Sequence, residues 1–354
     1  MVQDSPVARL VSWRSQLRKS FHYTGVLRES RKEGSWPPPL AAPLRFASRR
    51  VLIARGDRFG DMMLSVPFLA RVQAAGAQVC VLTPDPVSRA LLLAAGVDCV
   101  GKAVEAAEFE PWLVLFPTTS RNLRSRRHPE RWEFVQQILA AFPDTPVVAP
   151  SMRRAEAFSF YAGPCVTPLS GYTALSLLDR FADRLGLPWA VAPLLERWVV
   201  GPAERARGAV VLNLSAGRPG ESDRRHLPIA FWSEVARALS PVATVASIVQ
   251  PGEPARRAQA EADPELSKGP VACFEDVAEA AAWLGRQRLL ISPETGLCHL
   301  ARNLSLPMAV LTPPRKVPFF YPPAPDARFV FAKSLDAIAP RQAVEAAGEL
   351  LAQR

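Results

Sequence analysis

The sequence predicts an α/β protein of two Rossmann-like domains whose parallel sheets face a central cleft. Three observations carry that prediction. The 354 residues are enough for two domains with a core each. Short apolar runs alternate with helical patterns through most of the chain, as in parallel sheets whose strands are joined by helices. Two of the apolar runs end in polar, glycine-containing loops that open directly into a helix, one near each end of the chain. Residues 1–45 read as a basic extension with a proline-rich linker, 46–200 as the first domain and 201–354 as the second.

In the first domain the pattern predicts strands over Val51–Arg55, Gln78–Thr83, Trp112–Phe116 and Thr145–Ala149. Helices are predicted between and after them, over Asp61–Ala75, Val87–Ala95 and Glu130–Phe142. Residues 151–172 have no clear periodicity, Thr173–Leu187 reads as a helix and Pro188–Pro202 as a crossover. The alternation then restarts. Strands are predicted at Ala209–Leu214, Thr244–Val249, Leu289–Ser292, Met308–Leu311 and Arg328–Phe331. Helices are predicted at Ile229–Leu239, Glu253–Asp263, Asp276–Leu284, Gly296–Asn303 and Ala337–Ala352.

Composition narrows the function classes. Hydrophobic residues make up 49%, which marks a folded chain. No apolar run reaches the roughly 18 residues of a membrane span. Arg9, Arg14 and Arg18 interrupt the N-terminal apolar positions, so no signal peptide is read and a cytoplasmic location is expected. Five cysteines without a C-x-x-C pair argue against zinc or a disulfide framework. The net charge of +10 is concentrated at the start, where residues 1–50 hold ten Lys/Arg against three acids. Such an extension suits an anionic partner. Residues 7–21 place Leu10, Val11, Trp13, Leu17 and Phe21 at helical spacing among basic residues. Peripheral membrane contact through this segment, at the inner face of the inner membrane, is one reading of it, and a helix packed on the protein body or a mobile tail is the other. Ser35–Pro43 is the linker. Nucleic acid is not expected, because zinc-finger spacings and aromatic-interleaved repeats are absent.

The chemistry is expected at the two loops. Leu289–Ser292 runs into Pro293, Glu294 and Thr295, and the helix starts at Gly296. First-turn N–H groups lack helical partners and the helix dipole favours negative charge, so this junction suits a phosphate or pyrophosphate. The first loop runs Arg55-Gly56-Asp57-Arg58-Phe59-Gly60-Asp61. Its glycines allow close approach of a ligand. Asp61 is placed to take a proton from a hydroxyl, yet Asp is also a favoured N-cap, and the motif by itself favours the cap. Asp57 is a rival carboxylate. G-x-G-x-x-G and G-x-x-x-x-G-K-[ST] are both missing, which argues against a dehydrogenase and a P-loop enzyme. In the second half, Ser215, Gly217 and Arg218 follow a strand and suit a diphosphate, with Arg224 and Arg225 on the next loop as cations for a leaving group. A solvated basic loop explains the latter equally well. His299, alone on a helix, reads more readily as a packed residue than as a ligand.

These residues resemble the ADP-heptose:lipopolysaccharide heptosyltransferases, glycosyltransferase family 9. The family's V-L-I-(K/R) strand and G-D-x-x-x-x-x-P helix are matched by Val51-Leu52-Ile53, Arg55, Gly60-Asp61 and Pro67. Its D-T-G-x-x-H-L-A helix start is matched by Glu294-Thr295-Gly296-Leu297-Cys298-His299-Leu300-Ala301, and the following P-x-x-x-L strand by Pro307–Leu311. The basic K-x-W-P loop corresponds to Arg225-His226-Leu227-Pro228. The resemblance covers most of residues 50–335 and is firm in the two motif regions. It implies a GT-B fold and inverting sugar transfer that needs neither metal nor cofactor. The implied substrates are ADP-heptose, or another nucleotide sugar, and an anionic glycolipid or glycan acceptor such as a lipopolysaccharide core. Asp61 would be the catalytic base, with Arg55 and Gly60 positioning acceptor or phosphate. Ser215, Arg218, Arg225, Glu294, Thr295, Gly296 and His299 would bind the donor. Glu294 stands where the family has Asp, and Arg225 and Leu227 where it has Lys and Trp. The alternative is a family member without catalysis that binds anionic glycolipid as a scaffold. A two-domain NAD enzyme remains only as an analogy of fold.

Overall fold

A computed structural model of the chain describes residues 44–56, 58–117, 129–145, 147–148, 178, 181–183, 185–189, 193–216, 226–312 and 326–353. The segment 7–21, the linker and the 151–172 stretch lie outside the described residues. The chain divides into two compact units between Leu194 and Leu195. Each carries one sheet, and every strand pairing in both is parallel.

The first unit runs β1 (Arg50–Ala54), α1 (Phe59–Ala74), β2 (Gln78–Leu82), α2 (Pro86–Ala94), β3 (Asp98–Val100), α3 (Ala103–Ala107), β4 (Leu113–Leu115), α4 (Pro129–Ala141) and β5 (Val147–Val148). Its strand order is β3-β2-β1-β4-β5. Val51, Leu52 and Ile53 of β1 are all fully buried. A central parallel strand is covered on both faces, and a continuous aliphatic run meets that demand where an alternating pattern would not. Asp85, three residues beyond the end of β2, is the N-cap of α2. Its carboxylate accepts from the Ser88 amide at 2.8 Å, with Pro86 at the first helical position.

The second unit opens with a 3-10 turn (Glu196–Trp198) and α5 (Pro202–Arg205). It continues through β6 (Val210–Asn213), α6 (Ile229–Leu239), β7 (Val245–Ile248), α7 (Pro254–Ala262), β8 (Val271–Ala272) and α8 (Val277–Gly285). It closes with β9 (Leu289–Pro293), α9 (Gly296–Asn303), β10 (Met308–Thr312), β11 (Ala327–Phe331) and α10 (Pro340–Ala352). The order is β11-β10-β9-β6-β7-β8. Trp232 of α6 is fully buried in the core between that sheet and the helices α6 and α10, with Phe231 edge-on to it at 5.1 Å. Burying an aromatic pair of this kind contributes its apolar area plus roughly 0.5–1.5 kcal/mol of ring–ring contact.

Three expectations need correction. Helix α1 begins at Phe59 with Arg58 as its N-cap, so Asp61 is the third helical residue and not the cap. Helix α10 begins at Pro340 and not Ala337, because Pro fits the first turn while Leu335–Ala337 closes as a separate 3-10 turn. β3, β8, α3 and α5 were not expected. They are two to five residues long, and β3 and β8 are half-exposed edge strands, too short to stand out as apolar runs.

Candidate functional site

Both sheets reverse direction in mid-order. In the first unit the chain moves outward from β1 to β2 and β3, then returns to place β4 on the other side of β1. In the second, β6 leads to β7 and β8, and β9 returns to the other side of β6. At such a switch point the two neighbouring connections leave in opposite directions, and a crevice opens at the carboxyl ends of the strands. Four of the singled-out residues fall there. Arg55 follows β1, Ser215 follows β6, and Glu294 and Thr295 lie at the end of β9.

In the first unit Arg55 is buried, with 4% exposure. Its guanidinium donates to the Ser65 hydroxyl at 2.6 Å and to the Pro117 carbonyl, just beyond β4. Its Nη2 stands 3.7 Å from the Asp61 carboxylate. The cation thus ties the ends of β1 and β4 to the first turn of α1. Asp61 itself keeps 29% of its side chain exposed. Gly60 is the second residue of α1. Gly56 is required by close packing, since a Cβ there would stand 2.6 Å from the Phe134 ring. Asp57, the rival carboxylate, lies outside the described residues.

The second unit presents a different surface. Thr295 is the N-cap of α9 by backbone geometry, yet its hydroxyl makes no capping bond to the helix. It turns inward, 3.3 Å from the side-chain amide of Asn213 and 3.4 Å from Ser292 Oγ. Asn213 also donates to Ser292 Oγ at 2.9 Å and accepts from the Ser215 amide at 3.2 Å. Glu294, Thr295 and Gly296 are half-buried. His299 is 5% exposed and sits on the buried face of α9 with Cys298, Leu300 and Ala301.

Ser215 is committed within the unit. Its hydroxyl donates to Glu253 at 2.7 Å and accepts from the Gln250 amide at 2.9 Å. Glu253 also takes the Gln250 side chain at 2.5 Å and the His226 ring at 3.1 Å. Arg256 braces the same corner, donating at 2.5 Å to each of the Leu214 and Leu227 carbonyls. This carboxylate-centred knot at the ends of β6 and β7 was not singled out from the sequence. Its only sign there is that polar residues end two apolar strands, Asn213 after β6's aliphatic run and Gln250 after β7. Arg218 and Arg225 lie outside the described residues.

Among the described residues no three His, Cys, Asp or Glu side chains are grouped as metal ligands would be, and no helix is long and apolar enough to cross a membrane.

No protein-family model and no curated protein sequence matches the chain. Solved structures do. A glycosyl transferase family 9 structure from Veillonella parvula superposes with a TM-score of 0.64 at 15% identity, covering 88% of this chain and 99% of its own. The E. coli heptosyltransferase WaaC, solved with ADP-2-deoxy-2-fluoro heptose, gives 0.62 at 15% identity, with 85% and 99% covered. The E. coli ADP-heptose lps heptosyltransferase II gives 0.60 at 17% identity, with 86% and 99% covered. The resemblance read from the motifs is therefore matched in structure: the chain has the α/β GT-B fold of these proteins, with two parallel sheets.

Proposed function

We propose that the protein is an inverting glycosyltransferase, working without metal or cofactor, that moves heptose or a related sugar from an ADP-activated donor to a lipopolysaccharide core or similar surface glycan. The observation that carries this reading is the pairing of two features on one fold. An accessible carboxylate backed by a buried arginine sits at the first switch point, and a Thr-Gly helix start sits at the second. The E. coli structures with this fold were solved with ADP and with ADP-2-deoxy-2-fluoro heptose, which supports a nucleotide sugar as donor.

The reaction balances as a single displacement. Asp61 takes the proton of an acceptor hydroxyl as that oxygen forms its bond to the anomeric carbon. The bond from the anomeric carbon to the diphosphate oxygen breaks on the opposite face, and the diphosphate leaves with the electron pair. Attack opposite the leaving group inverts the anomeric centre. The N-terminus of α9, at Thr295 and Gly296, together with Arg225, meets the charge on the departing nucleotide. Arg55 orients Asp61, and Glu294, in place of the family's Asp, selects the donor sugar. The acceptor is assigned to the first unit and the donor to the second. The basic extension is assigned to an anionic acceptor or the membrane surface carrying it.

The test is nucleotide release from a panel of ADP-, UDP- and GDP-sugars, including ADP-heptose, with heptose-deficient lipopolysaccharide as acceptor. Acceptor-dependent release from ADP-heptose is expected. Release from another donor would keep the mechanism and move the specificity to Glu294 and its surroundings. No release from any donor would contradict the catalytic reading and favour a glycolipid-binding role.

A further inference from the structure

We propose that Asn213 is the positioning residue of the diphosphate seat, which it serves by setting the proton order of the cluster so that the Thr295 hydroxyl donates to the bound anion. The inference rests on the donor reading above. Asn213 is the last residue of β6, 4% exposed, and β6 pairs with β9 on one side of the switch point. One side-chain amide therefore reaches both loops that follow those strands, Leu214–Ala216 and Glu294–Thr295.

The proton count is fixed by a single backbone group. The Ser215 amide is a donor only, and it points at Asn213 Oδ1 from 3.2 Å. The amide oxygen must face it, so the NH2 group must face the two hydroxyls. That NH2 group stands 2.9 Å from Ser292 Oγ and 3.3 Å from Thr295 Oγ1 and donates to both. The one proton of Ser292 goes to the Pro293 carbonyl at 2.6 Å. Ser292 thus accepts from Asn213 and donates to Pro293, and it has no second proton for Thr295. The Thr295 hydroxyl accepts from Asn213 and keeps its own proton, whose sole acceptor among the described residues is Ser292 Oγ at a long 3.4 Å. A bound phosphate oxygen is a far better acceptor than that contact, because a charged acceptor roughly doubles the strength of a hydrogen bond. Asn213 also fixes the direction of the Ser215 loop through the same oxygen that orients it.

The arrangement distinguishes charge and proton order from shape. Asn213→Asp keeps the shape and the acceptor for the Ser215 amide. Its carboxylate accepts only, so it draws the Ser292 and Thr295 protons inward and places a negative charge behind the seat. Asn213→Ala removes the brace but adds no charge. Wild type is titrated with ADP, UDP and GDP by calorimetry, and the tightest is then compared with its bare nucleoside on each variant. The expected loss of diphosphate affinity is about 30-fold or more for Asn213→Asp and about 5-fold for Asn213→Ala, with nucleoside affinity changed little in either. Should Asn213→Asp fail to fold, Thr295→Val removes the same donor and is expected to lose about tenfold in diphosphate affinity alone. Wild type that binds nucleoside diphosphate, with Asn213→Asp binding as well as wild type or better than Asn213→Ala, would overturn the inference and leave the donor reading standing. A Thr295→Val variant that keeps full affinity would do the same. Wild type that binds none of the three diphosphates would overturn the donor reading and the inference together.

Discussion

At the end of β1 the first unit places an ion pair, a buried arginine and a half-exposed aspartate. At the end of β6, the corresponding strand of the second unit, there stands a neutral amide between two hydroxyls. The strand orders around the two positions are the same, apart from one extra edge strand in the second sheet. The backbone therefore supplies the place and the side chains supply the chemistry. A carboxylate at the first switch point would repel a diphosphate and suits proton removal. Around Asn213 the groups nearest the start of α9 are neutral donors, which together with a helix N-terminus fit the proposed diphosphate role, while the Glu253 carboxylate is taken up by Ser215, Gln250 and His226. The units also share a device below the site. Arg71 in the first donates to the Leu187 and Pro188 carbonyls at 3.0 and 2.7 Å and pairs with Asp183 at 2.7 Å. Arg205 in the second donates to the Leu304 and Ser305 carbonyls at the end of α9.

The largest effect that would break the comparison lies at Asp61. Asp61→Ala is expected to lower turnover by about 10²–10⁴-fold, the usual range for a general base, as read by nucleotide release. Next is Arg55→Met. It leaves the Ser65 hydroxyl and Pro117 carbonyl without their donor and frees Asp61 to swing. Turnover should fall by about tenfold or more, and stability by about 1–3 kcal/mol in denaturant melts. A turnover loss without any loss of stability would mean that Arg55 meets substrate and does not brace the loop.

The shared clamps give a matched pair. Arg71→Met and Arg205→Met are each expected to cost about 1–3 kcal/mol, by stranding buried carbonyls. Hydrogen exchange should show lost protection confined to the first unit for one variant and to the second for the other. Spread of either effect across both units would show that neither clamp stabilises its own unit alone. The smallest effect concerns the thiols of the first sheet. Burial, and then the nearby Asp98 carboxylate, pushes Cys80 up to about 11. Burial, with Cys80 adding to it and Arg89 opposing, pushes Cys99 up to about 12. Both stay protonated at neutral pH, so iodoacetamide at pH 8 should leave them unmodified in the folded protein. The unfolded chain gives up these protons first, near the ordinary value of 9.0. Stability should therefore fall as the pH rises from about 9 toward 11.

The sequence made the central strands and the helices beside them legible, because a strand buried on both faces must be an unbroken aliphatic run, as in Val51–Ile53 and Leu289–Ile291. Helices α6 and α9 fall at the expected bounds, Ile229–Leu239 and Gly296–Asn303. The edge strands β3 and β8 were not legible, since they bury too little to need such a run. The site was legible as two loops and illegible as a network. Asp61, Thr295 and Gly296 stand in motifs with local meaning. Asn213, Glu253 and Ser292 matter through partners 38 to 82 residues away, and no local pattern records such contacts. The motif taken alone favoured Asp61 as a cap over a place inside the first turn, because the two helical residues before it, Phe59 and Gly60, carry no helix signal.

The division of labour between the two units is tested most directly by titrating ADP into Asp61→Ala and wild type under the conditions of the turnover assay. The account predicts the same affinity in both, within about twofold, while turnover is lost in the variant alone. Equal turnover in both, or a nucleotide affinity that falls with Asp61, would contradict it.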